Sequence, residues 1–84
     1  MNEGKLFEEQ DRGAQAESLL RNPILVEAFD VLSETYLNAW KESPVKAEDD
    51  RERIFLMYKN LLAVRAHLEE IVNTGKLANL ELNT

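Results

Sequence analysis

Cysteine is absent from this chain of 84 residues, so neither disulfides nor thiolate metal sites can brace it. Histidine occurs once, at His67, too little for an imidazole-rich zinc site. Three glycines and two prolines punctuate the chain sparsely, which predicts long helices. No useful stretch alternates apolar and polar residues with period two, so no strands are expected. Basic charge is also scarce. Ten Lys and Arg against 16 Asp and Glu leave a formal charge of −6, a balance that disfavours phosphate backbones and anionic membrane surfaces. No apolar run is long enough to span a bilayer. The opening "MNEGKLFEEQDRG" carries no signal-peptide core, so the cytoplasm, or an assembly built there, is the expected location.

The catalytic inventory is equally thin. The sequence has no nucleophilic cysteine, no Gly-rich phosphate loop and no Ser-x-Gly elbow, and no spacing ties Ser18, Ser33 or Ser43 to His67 as a base. No enzymatic activity, cofactor, metal or small-molecule substrate is expected. A chain this short hides only about 60–65% of its unfolded surface, so its core is thin. Without disulfides or metal, association with itself or a partner is the remaining aid to stability.

Leu, Ala, Glu and Lys dominate what is present, and three helices follow. The first is expected over about 11–20, after a frayed start and weakened by Gly13 by up to about 1 kcal/mol. The second is expected over 23–42: Asn22 can cap it, Pro23 suits its first position, and Ser43-Pro44 stops it. The third is expected over 47–74. Glu48, Asp49 and Asp50 favour its positive end, and Gly75 closes it in the left-handed conformation. A tail, 76–84, would dock through Leu77, Leu80 and Leu82. The expected fold is all-α: an antiparallel hairpin of two long helices plus a shorter N-terminal helix. It resembles a three-helix bundle in one small domain, residues 1–84, and is expected to oligomerise.

At 100° per residue the second helix shows two apolar rows. Leu25, Ala28, Leu32, Tyr36 and Ala39 read as the seam toward the third helix, where Ile54, Met57, Leu61, Val64, Leu68 and Ile71 match them. Val26, Phe29, Ser33, Leu37 and Trp40 form the second row. An arc this wide needs neighbours on two sides. Either the N-terminal helix covers the second row, or another chain does. The candidate partner or oligomer contact is therefore Val26, Phe29, Leu37 and Trp40 with Phe55 and Leu62. Trp40, at the margin of the arc, suits an interface anchor.

Other candidates have plainer explanations. Arg65 projects within the apolar arc and is expected to form a structural ion pair with Asp30 or Glu34. His67 and Glu70 share one helix face at a spacing that could hold a metal, yet no second such pair exists, and a solvent-facing histidine accounts for it. The run "AEDD" lacks the glycine and ligand spacing of a cation loop and serves the helix dipole. Tyr36, Trp40, Phe55 and Tyr58 read as core or interface rather than as a base-stacking platform.

The segments "LLRNPILVEAFDVLSETYLNAWKESP", "DRERIFLMYKNLLAVRAHLEEIV" and "TGKLA" together resemble small α-helical proteins of tailed bacteriophages and prophages. The similar positions are Leu20, Glu27, Ala28, Phe29, Tyr36, Ala39 and Trp40; then Arg51, Arg53, Val64, Arg65, His67 and Leu68; then Gly75, Lys76 and Leu77. The resemblance covers roughly residues 19–80 and implies a phage origin, often among virion genes, with no activity attached. It suggests a non-enzymatic virion structural or assembly factor, head- or connector-associated. Its partner would be itself or a larger phage structural protein, and its place the host cytoplasm or the virion. The alternative is an early regulator that binds and inhibits a host enzyme, its negative charge occupying a basic cleft.

Overall fold

The computed structural model describes residues 2–84, which form three α-helices, α1 (Glu3–Leu20), α2 (Pro23–Glu42) and α3 (Glu48–Leu82). No strand occurs among the described residues, and the fold is all-α. Two boundaries differ from those read in the sequence. Helix α1 starts at Glu3 rather than near Asp11. The Asn2 side chain accepts a hydrogen bond from the Lys5 backbone N–H at 3.0 Å, satisfying a donor that the first turn would otherwise leave open. Helix α3 passes straight through Gly75 and ends at Leu82, 35 residues in all. No described glycine has positive φ, so Gly75 is a packing residue and not a helix terminator.

The chain divides into two compact units, each holding part of α3: one joins the chain up to Asn22 with Ala66–Thr84, and the other is Pro23–Arg65. In the first unit α1 runs antiparallel to the end of α3. Gln10 Nε2 donates to Asn79 Oδ1, and Gly13 faces Gly75 one turn further along. The helices approach so closely there that a Cβ built on either glycine would stand 2.8 Å from the Cα of the other. Atoms do not pack at that distance, so the crossing requires hydrogen at both positions. Small residues continue the contact: Ala16 and Ala78 are 3% and 2% exposed.

In the second unit α2 pairs with the first part of α3. Phe29, 8% exposed, is its one buried residue among those described. The half-buried residues are Leu25, Val26, Ser33 and Tyr36 on α2, with Arg51, Ile54, Tyr58 and Leu61 on α3. Val26, Phe29, Ser33 and Tyr36 advance by three and four residues, as do Arg51, Ile54, Tyr58 and Leu61, which is the periodicity of a packed helix pair. The seam therefore lies one row round from the one read in the sequence. Ala28, Leu32, Ala39, Met57 and Val64, expected inside, are exposed. Two adjacent apolar rows look alike to periodicity, and burying the large Phe29 ring outweighs burying Ala28.

The connection between α2 and α3 is tied by one side-chain and one backbone hydrogen bond. The Ser43 hydroxyl donates to the Trp40 carbonyl at 2.6 Å, and Ala47 N–H donates to the Pro44 carbonyl at 3.0 Å. The first bond occupies an open carbonyl at the end of α2, and the second closes a turn that leads directly into α3.

Candidate functional site: an apolar cleft on the second unit

Each helix of the second unit has shoulders beside its seam. Leu37 follows the seam residue Tyr36, Phe55 follows Ile54, and Leu62 follows Leu61; in an antiparallel pair these positions meet on one side. Leu25 and Leu32 precede Val26 and Ser33, as Met57 and Val64 precede Tyr58 and Arg65, and this set occupies the other side.

On the first shoulder the chain forms a cleft of ≈160 Å³ lined by Tyr36, Leu37, Trp40, Ile54, Phe55 and Tyr58. Its wall is aromatic and aliphatic carbon, supplied equally by α2 and α3. Phe55 is 50% exposed and Trp40 40% exposed, so rings that would fill a larger core stand at the surface here.

Arg51 fixes one edge of this cleft. Its guanidinium carbon lies 4.4 Å from the centre of the Trp40 ring, a stacked cation–π geometry. Its Nη1 reaches the Trp40 carbonyl at 3.1 Å, the Ser43 carbonyl at 3.0 Å and the Ser43 hydroxyl at 2.8 Å. One side chain of α3 thus caps the C-terminus of α2 and holds the indole in place. Charge favours the arrangement, because the end of a helix carries partial negative charge.

No protein-family model matches the chain, and comparison with curated proteins and with solved structures found no match.

The six residues singled out as a partner contact separate in the structure. Phe29 is buried and Val26 half-buried within the hairpin, whereas Leu37, Trp40, Phe55 and Leu62 are exposed. Leu37, Trp40 and Phe55 meet around the cleft. Val26, Phe29, Ser33, Leu37 and Trp40 read as one row in the sequence, but only Leu37 and Trp40 are exposed. Arg65 is exposed at a seam position between Leu61 and Leu68, and Asp30 and Glu34 are exposed on α2. His67 Nδ1 lies 3.6 Å from Glu70 Oε2, with both side chains largely in solvent. They border a shallow depression of ≈170 Å³ with Glu9, Arg12, Ile71 and Thr74. Among the described residues no three His, Asp or Glu side chains converge as a metal site, and no helix is long and apolar enough to cross a membrane.

Arg51 was missed as a site residue. The available signal was its place in the heptad frame: an arginine between Ala47 and Ile54 faces the partner helix, and Ser43-Pro44 fixes which turn it meets.

Proposed function

We propose that this protein is a non-enzymatic interaction module that works through the Leu37–Trp40–Phe55–Leu62 shoulder of its α2–α3 hairpin. One observation carries the reading: two large aromatic side chains and two leucines share one exposed shoulder, on a hairpin with a single buried residue among those described. Clustered apolar exposure of this kind marks docking surfaces on folded proteins. Trp40, held by Arg51 before any partner arrives, has the character of an interface anchor because its rotamer is already fixed. The resemblance to small helical phage proteins supplies the setting. The module belongs to virion structure or assembly, attached to the head or connector, and resides in the host cytoplasm and the particle.

The test is particle incorporation. Cells producing the phage are supplied with the wild-type chain or with Leu37→Glu, and purified particles are analysed by mass spectrometry. The wild type is expected in the particle, and Leu37→Glu is expected to be depleted at equal expression and helicity. Equal incorporation of both chains would exclude this face, and a wild type absent from particles would exclude the virion setting.

A further inference from the structure

Two stretches that border the cleft carry the same pattern. On α2, "ETYLNAWK" places Glu34, Leu37, Trp40 and Lys41; on α3, "ERIFLMYK" places Glu52, Phe55, Tyr58 and Lys59. Each reads acid, apolar residue three positions on, aromatic three further, then lysine. On a helix, residues three and four apart share a face, so Glu34 and Lys41 bracket Leu37 as Glu52 and Lys59 bracket Phe55. Two such faces laid antiparallel bring Leu37 level with Phe55, Glu34 level with Lys59, and Lys41 level with Glu52.

We infer that the occupant of the shoulder is a second copy of this chain, related by a two-fold axis parallel to α2 and α3. This deepens the interaction reading above and rests on it. Under that symmetry α2 of each copy lies antiparallel to α3 of the other, and the complementary pattern is used twice. Within one chain, Glu34, Lys41, Glu52 and Lys59 form no ion pair among the described residues, so all four charges remain to be matched across the interface.

A net charge of −6 opposes self-association generally, which makes a locally balanced patch the favourable place for it.

Sedimentation equilibrium on Glu34→Lys and Lys59→Glu chains, separately and mixed, tests the assignment. The wild type is expected to dimerise. Each variant alone sets two like-charge pairs in its dimer and is expected to bind itself about tenfold or more weakly. An equimolar mixture restores opposite charges at every pair and is expected to dimerise about as tightly as the wild type. A wild type that stays monomeric up to about 500 µM, which puts any dissociation constant in the weak range, overturns the second copy as occupant. So does a mixture no tighter than the separate variants. Either result leaves the docking face standing if Leu37→Glu is still depleted from particles. Incorporation indifferent to Leu37→Glu removes the face itself.

Discussion

Arg51 stabilises the turn between α2 and α3 in a way that lysine cannot copy, because stacking on Trp40 needs a planar cation and the cap needs several donors on it. Arg51→Lys is expected to cost about 1–2 kcal/mol, the scale of charged hydrogen bonds at a partly exposed site. In a domain of this size that lowers the melting temperature by roughly 4–16 °C. Trp40 is the one tryptophan of the chain, so its emission should change in the same variant. An unshifted melt would show that the cap is ornamental. The glycines give a prediction of sign. Helix propensity alone favours alanine over glycine by about 1 kcal/mol. At Gly13 and Gly75, however, the new Cβ would meet backbone at 2.8 Å. Gly13→Ala and Gly75→Ala are therefore expected to destabilise by about 1–3 kcal/mol. Gly4→Ala is the control, since its Cβ would meet only the Asn2 side chain at 3.5 Å; there chemical denaturation should show no loss.

At the scale of the element, α3 shows what the sequence could and could not reveal. Its beginning was legible from Pro44 and the acidic first turn, and α2 was legible at both ends from Asn22-Pro23 and Ser43-Pro44. Its end was not. Glycine after a long amphipathic run fits a left-handed cap and a helix crossing equally well, and only the position of Gly13 on α1 distinguishes them. The same reciprocity hid the start of α1: Gly13 looked like a local weakness because its compensation lies on the end of α3, distant in sequence. The seam was misplaced for a related reason. Leu32 and Phe29 sit on neighbouring rows, and which row turns inward depends on what faces it. Continuity of α3 predicts slow amide exchange for Lys76–Leu80, comparable to Val72, because those N–H groups are held in helix packed on α1. Fast exchange beginning at Lys76 would restore Gly75 as a terminator.

For the molecule, the shortage is of burial. Among the described residues the buried side chains are Ala16, Phe29, Val72 and Ala78, too little apolar carbon to leave a wide margin of stability. Under the proposed dimer, stability and assembly should be linked: the melting temperature should rise with protein concentration, as mass action requires of a folded state that dimerises. Leu37→Glu should abolish that rise while leaving helicity near the wild type. The candidate face was half legible in the sequence. The excess apolar arc on α2 pointed to an exposed apolar face, but the packing of the hairpin takes Val26 and Phe29 inside and sets Arg51 beside what remains.

Trp40 itself gives the most direct measurement, since the sole tryptophan stands on the proposed contact. Its emission and iodide quenching, followed across a thousandfold range of concentration, report whether the cleft closes. We predict that the emission shifts to shorter wavelength and the ring becomes shielded as concentration rises, and that Leu37→Glu removes both changes. Emission and quenching that stay constant for the wild type would contradict the account.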